Sequence, residues 1–325
     1  MQLNPVDEKT YLDRFRVSLI LLVVIGHATR MFCPNGLYND RIAVDSMLEM
    51  LTKVIYSFHM PFFVMISGYV YGICVLKSKD YASFLLVLRK KVLRLIVPYL
   101  FWGICYVAPI MIVFSLTPLS YGEYVKTGIL LSLNSRQLWY LAALFVMFIL
   151  VHGIRCLLER FQKYKNIPLY AKLIVFMSIA FMLRNFYIPP YFQLSNAINY
   201  LPYFLLGYYI KCVSFCSLFD SVVLIISTLY VCFSLGIIGF ISIATFCCFI
   251  YFMKMEKLPL FYVIKKYGMG IYILHPMMFY AIYYYYPSTM NPVLFTSISI
   301  VVVIFICVLI CRCINHMKLS YLLGE

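Results

Sequence analysis

Residues 16–27 of the chain read RVSLILLVVIGH, in which an uncharged apolar run separates Arg16 from His27. In an α-helix, eleven steps of about 1.5 Å and roughly 100° place His27 on the order of 16 Å along the axis and on nearly the same face as Arg16. Ionisable side chains at membrane depth are costly, and they usually face a bundle interior or a wet cavity. The stretch therefore indicates a functional stripe that joins a surface cation to a buried imidazole.

The composition of the chain is that of a membrane protein. Of its 325 residues, 64% are hydrophobic and 12% are charged, and the mean hydropathy is +0.91. Soluble domains carry about 25% charged residues. We therefore predict an all-α polytopic membrane protein. Its basic residues lie in short loops without a soluble basic domain, which argues against a nucleic-acid partner.

Apolar runs of about 17–25 residues between charged or turn-forming breaks predict about ten transmembrane helices. The predicted ranges are 15–33, 54–75, 92–115, 137–156, 172–188, 197–214, 220–236, 238–254, 264–283 and 293–313. The interval 221–253 contains no charged residue. It is too long for one helix without a large hydrophobic mismatch, so we divide it into two helices.

The positions of lysine and arginine assign the two faces of the predicted bundle. With the N-terminus cytoplasmic and the helices alternating, 21 of the 27 basic residues fall in inner segments. Cytoplasmic loops carry such an excess of positive charge. Both termini are therefore expected in the cytoplasm, and the protein is expected in the inner (cytoplasmic) membrane of a bacterial cell.

No linker or low-complexity segment interrupts the chain. We expect residues 1–325 to form one integral membrane domain with short cytoplasmic tails at about 1–14 and 314–325. The twelve cysteines show no zinc-ligand spacing, so no bound metal is expected.

Arg16 and His27 together suit a cofactor with an anionic head and a long, thin arm. Acyl-coenzyme A has this shape: its phosphates pair with cations at the inner surface while its pantetheine arm carries a thioester inward. A neutral imidazole with a pKa near 6.5 is suited to act as a general base on an acceptor hydroxyl. By itself, the pair is a weak signal, and a hydrogen-bonded histidine that serves helix packing is the more common explanation of it.

Five further segments accompany this pair. They read FHMPFFVMISGY at 58–69, RKKVLRLIVPY at 89–99, LWYL at 138–141, PYFLLG at 202–207 and YGMGIYILHP at 267–276. In this order, and with the leading Arg-x10-His, the set resembles the acyltransferase-3 family of integral membrane O-acyltransferases. The resemblance extends from about residue 11 to residue 312, and the second-helix motif is closest to the fucose 4-O-acetylase-like branch.

The resemblance implies a ten-helix enzyme that transfers an acyl group, usually acetyl, from cytosolic coenzyme A to a carbohydrate hydroxyl. It makes Arg16 and His27 the essential pair. The family often has two arginines three apart before its third helix, and here Lys91 and Arg94 occupy those places. Because lysine lacks the bidentate fork of arginine, Arg89 and Lys90 are expected to share the phosphates.

Five more side chains are candidates for the acceptor site. Helical rise places His59 roughly 9 Å below the outer surface and His275 about 13 Å from the inner one. Each serves either a shared cavity or helix packing. Ser67, before Gly68, serves either close helix approach or chemistry. Trp139 and Tyr140 are either interfacial anchors or a stacking platform for a sugar.

These residues lead to one predicted function and two alternatives. The predicted function is O-acetyl transfer from acetyl-coenzyme A to a glycan or lipid-linked saccharide, either directly or through an acetylated intermediate. The first alternative is a transporter or flippase that passes a glycan or lipid without modifying it. The second is a membrane sensor or assembly partner of the same fold without catalysis.

Overall fold

The computed structural model describes residues 5–38, 40–161, 167–183, 186–212, 235–236, 238–251 and 255–324. In these ranges all regular elements are helical, and no strand occurs. The long helices are α1 (Pro5–Thr29), α2 (Ser46–Lys77), α3 (Phe84–Val113), α4 (Trp139–Glu159), α5 (Leu169–Leu183), α6 (Leu194–Cys212), α7 (Ile238–Tyr251), α8 (Pro259–Tyr284) and α9 (Pro292–His316).

Within the described ranges, five segments are long and apolar enough to cross a membrane. They are Asp7–Phe32, Ser46–Lys77, Phe84–Val113, Arg136–Glu159 and Pro292–His316. These segments correspond to the first, second, third, fourth and tenth predicted helices. α6 and α8 overlap the sixth and ninth predicted helices. The seventh, at 220–236, lies almost entirely outside the described residues, and the count of ten spans stays a prediction.

α1 begins about ten residues earlier than the apolar pattern predicts, because its charged residues have partners on other elements. Glu8 forms an ion pair with Lys211 of α6 at 2.5 Å, and Arg14 forms one with Glu256 ahead of α8. From Pro5 onward, the segment expected to be a cytoplasmic tail is therefore part of the helix. Hydropathy alone did not place these residues in the helix, because their charges lower the mean hydropathy of the segment. Their ion pairs nevertheless allow the helix to extend to Pro5.

α2 and α6 pack with their backbones in contact at two glycines. A Cβ atom on Gly68 would lie 1.9 Å from the carbonyl oxygen of Phe204, and one on Gly207 would lie 1.9 Å from that of Met65. Small residues at helix interfaces allow this approach. Gly68 of α2 and Gly207 of α6 therefore form a close-approach pair, and the role of Ser67 stays a prediction.

α3 is widened by two π-helical turns, Val92–Ile96 and Gly103–Val107. Pro98 has no backbone N–H, so the carbonyl of Arg94 lacks the donor that an α-helix would supply. Wide turns of this type occur frequently at functional sites. Here the turn carries Arg94, one of the predicted phosphate-binding residues.

The C-terminal residues pack against the bundle, and their cytoplasmic location stays a prediction. α9 extends to His316, and Ser320–Leu323 forms a 3₁₀ turn in which Leu323 is buried. Trp102 Nε1 donates a hydrogen bond to the carbonyl of Leu322 at 2.7 Å. The last described residues therefore contribute to the protein interior.

Candidate active site

A cavity of about 860 Å³ opens at the end of the bundle that contains Lys91 and Lys266, which we call the basic end. Side chains of α1, α2, α3, α4 and α8 line it, together with Tyr321 and Gly324 of the C-terminal segment. The volume lies in the range of pockets that enclose a cofactor-sized ligand. Arg16 is one of the lining residues, so the cavity lies at the start of the helix face that Arg16 and His27 share.

The mouth of the cavity carries six basic side chains and one carboxylate. The basic side chains are Arg16, Lys90, Lys91, Arg94, Lys265 and Lys266, and the carboxylate is Asp13. Asp13 forms an ion pair with Lys265 at 2.6 Å. Such an excess of positive charge in a partly dry pocket favours a polyanionic ligand.

Lys91 is a buried cation in this group. Its Nζ lies 3.5 Å from the centroid of the Phe148 ring and 5.9 Å from that of Tyr81. It forms no ion pair with a carboxylate in the described part of the chain. Aromatic faces partly compensate a desolvated ammonium, so Lys91 remains available to a ligand anion.

Lys90 and Arg89 are placed differently from Lys91. Lys90 lies at the exposed rim of the cavity and pairs with Asp80. The Lys90 ammonium lowers the pKa of the Asp80 carboxyl through this hydrogen bond. Arg89 is exposed and is not among the lining residues.

The inner end of the cavity is formed by Ser67, Tyr140 and Tyr272. Ser67 Oγ and the Tyr140 hydroxyl are hydrogen-bonded at 2.9 Å, and the rings of Tyr140 and Tyr272 lie 5.7 Å apart. Beyond them, the Tyr272 ring lies 6.3 Å from the imidazole of His275. The ring of Tyr272 therefore lies between the inner end of the cavity and His275.

His27 and His275 face each other with ring centroids 5.1 Å apart. His275 Nδ1 is bonded to the carbonyl of Ile271 at 2.7 Å. A carbonyl only accepts hydrogen bonds, so the ring proton lies on Nδ1 and Nε2 presents a lone pair. Nε2 is buried and has no hydrogen-bond partner in the described part of the chain. His27 is half-buried and is not among the cavity-lining residues.

The ring of Tyr56 connects His59 to His27. His59 Nδ1 is bonded to the carbonyl of Ile55 at 2.7 Å, and the His59 ring lies 4.9 Å from that of Tyr56. The Tyr56 ring lies 6.2 Å from the ring of His27. The three histidines therefore form one layer with Tyr56.

The structure places the predicted site residues in three groups. Lining the cavity are Arg16, Lys90, Lys91, Arg94, Ser67 and Tyr140; in the histidine layer are His27, His59 and His275; outside both are Arg89 and Trp139. Trp139 instead packs against the ring of Tyr200 at 5.4 Å.

Sequence reasoning missed the other charged and hydroxyl-bearing side chains of the lining, which are Asp13, Lys265, Lys266, Tyr272 and Tyr321. Lys265 and Lys266 directly precede the quoted motif that begins at Tyr267. Their position next to this motif is the signal in the sequence that could have identified them.

A family model described as an acyltransferase domain, that of the acyltransferase-3 family, matches residues 9–312. Nodulation protein NolL of Mesorhizobium japonicum is 30% identical over 138 residues, which cover 41% of this chain and 32% of the relative. Nodulation protein NolL of Sinorhizobium fredii is 33% identical over 90 residues, which cover 28% of this chain and 22% of the relative. The chain thus spans less than a third of the length of these relatives, and no solved structure matches it. Because the family model covers nearly all of its length, the chain belongs to the acyltransferase-3 family.

Proposed function

We propose that this chain is a multi-pass O-acetyltransferase of the cytoplasmic membrane that transfers acetyl from cytosolic acetyl-coenzyme A to a hydroxyl of a glycan or lipid-linked saccharide. The observation that carries this proposal is the basic cavity, whose inner end adjoins the paired imidazoles. We place the basic end on the cytosolic side, in accordance with the positive-inside rule.

The donor binds head first at the basic end. Its phosphates pair with Arg16, Lys91 and Arg94, which form no ion pair within the described residues, and with the two lysines of α8. Arginine and phosphate form strong charge-assisted hydrogen bonds. The pantetheine arm extends inward between Tyr140 and Tyr272. The acetyl group passes the Tyr272 ring to reach His27.

His27 acts as the general base in the transfer step. It takes the proton of the acceptor hydroxyl while that oxygen forms a bond with the acetyl carbonyl carbon. The carbon–sulfur bond then breaks, and the coenzyme A thiolate leaves with the electron pair and recovers a proton from the imidazolium. The free lone pair of His275 Nε2 orients and stabilises the imidazolium in the position that a carboxylate holds in a catalytic triad.

Mass spectrometry of the surface glycan from native cells with and without the protein tests this function. We expect a mass difference of one acetyl group, with the unmodified polymer still exported in the absence of the protein. Loss of the polymer itself would instead support a transporter.

Arg16→Gln is expected to raise the dissociation constant of coenzyme A about 10- to 100-fold. A hydrogen bond to a charged group contributes about 1.5–3 kcal/mol, and each 1.4 kcal/mol is about tenfold in affinity. Isothermal titration calorimetry of the purified chain measures this change. Arg312→Gln is the matched control, because Arg312 is exposed on α9 and is not a lining residue. Equal effects of the two variants would remove Arg16 from the donor site.

Gly324→Ala is expected to weaken coenzyme A binding several-fold by displacing Arg94. Gly324 has φ 75°, and a Cβ there would lie 2.6 Å from the Arg94 carbonyl oxygen. A left-handed conformation costs a non-glycine residue about 1–2 kcal/mol. Gly236→Ala is the control, because Gly236 has φ 70° but open space around it. If both variants bind coenzyme A like the wild type, the C-terminal segment does not support the donor site.

A further inference from the structure

Two arginines lie without ionic partners at the end of the bundle opposite the basic end. Arg30 and Arg136 form no ion pair with any carboxylate in the described part of the chain, although Arg41 and Lys53 at the same end pair with Asp40 and Glu49. An unpaired cation in or beside the hydrocarbon region is unfavourable and marks a functional site.

Arg136 combines a strained backbone with an unsatisfied side-chain nitrogen. Its φ is 49°, a left-handed conformation that residues with a Cβ rarely adopt. Its Nε is buried and has no hydrogen-bond partner in the described structure. Backbone strain persists where the surrounding structure enforces it, and it concentrates at ligand-binding sites.

Arg30 adjoins the histidine layer, and Tyr280 is the residue that it shares with Arg136. The Arg30 guanidinium carbon lies 5.5 Å from the centroid of the Tyr56 ring, which is the ring that connects His27 to His59. Tyr280 lies within electrostatic range of both Arg30 and Arg136.

The residues that surround His27 at this end lie outside the basic cavity. Arg30 is exposed, and His27, Tyr56, Tyr280 and Arg136 are half-buried, while none of these five residues lines the cavity. Arg30 follows His27 by three residues, which is about 4.5 Å of helical rise on one face. That separation is comparable to the width of a sugar ring.

We propose that Arg30 and Arg136 bind an anionic group of the acceptor, a phosphate or a carboxylate, and thereby hold its hydroxyl at His27. Planar guanidinium groups bind both anions through bidentate hydrogen bonds. A neutral acceptor would leave the half-buried Arg136 without a counter-charge. This inference rests on the proposed function and narrows its substrate class to acidic or phosphorylated saccharides.

Binding of three probes tests the proposal: glucose, glucuronate and glucose 1-phosphate. The full-length protein is first saturated with coenzyme A, so that the donor cations are occupied, and each probe is then titrated by isothermal calorimetry. We expect at least one anionic probe to bind about tenfold more tightly than glucose. A preference for both anions indicates general recognition of charge, whereas a preference for glucose 1-phosphate alone assigns the site to phosphate.

Arg30→Gln and Arg136→Gln are each expected to abolish the preference for anions while leaving the dissociation constant of coenzyme A unchanged, which shows that the variants fold. Arg41→Gln is the matched control and is expected to retain the preference. Equal binding of the three probes, no binding up to tens of millimolar, or an equal loss in Arg41→Gln would overturn the proposal. Failure of coenzyme A to bind the wild type would instead contradict the proposed function.

Discussion

His27→Gln is expected to reduce acetyl transfer by about 10²- to 10⁴-fold, the usual contribution of a general base. Glutamine retains a polar side chain near His275, but it cannot accept a proton. The measurement is transfer of labelled acetyl from acetyl-coenzyme A to the glycan of native membranes. Coenzyme A binding is expected to persist, because His27 is not among the residues that line the basic cavity.

Two other histidines provide the comparison for this result. His275→Gln is expected to reduce transfer up to about tenfold. The variant loses the hydrogen bond that His275 Nε2 is proposed to accept from the His27 imidazolium, and a net hydrogen bond contributes about 0.5–1.5 kcal/mol. His316→Gln is expected to leave transfer unchanged, since His316 is exposed at the end of α9. If His27→Gln retains transfer within a few-fold of the wild type, His27 is not the base.

Gly207→Leu is expected to prevent folding of the bundle. The Cβ position on Gly207 lies 1.9 Å from the Met65 carbonyl oxygen and 2.9 Å from the Tyr69 nitrogen, which are both backbone atoms of α2. Backbone cannot move aside as a side chain can, so α2 and α6 must separate. Overpacking by added methylenes already costs about 1–3 kcal/mol where side chains adjust, and separating the helices also exposes Ser67 and its neighbours.

The yield of monodisperse protein after detergent extraction measures this effect, with fluorescence-detected size exclusion as the readout. Gly68→Leu is expected to fail in the same way from the facing helix. Gly122→Ala is the control, because nothing lies within 4 Å of a Cβ at Gly122. Normal folding of Gly207→Leu would show that the two backbones do not touch at this position.

The helices were predictable from hydropathy because burial in a membrane demands long apolar runs, and α4 and α9 follow such runs closely. The start of α1 was not predictable by this rule. Its first turns carry Glu8 and Arg14, whose ionic partners lie 203 and 242 residues away in the chain. Periodicity is a local property, and it does not report pairing between distant elements.

The sequence by itself determined that Arg16 and His27 share one face of one helix, because eleven residues make nearly three whole turns. It also determined the membrane character of the chain and the order of its motifs. Only the tertiary structure decided that Lys265 joins Arg16 at a single cavity, that His275 stands opposite His27, and that Arg30 lies beside the ring of Tyr56 in the histidine layer. The physical reason is that these contacts depend on how the helices pack against one another. That packing is set by contacts such as the one between Gly68 and Gly207, whose partners no local pattern specifies.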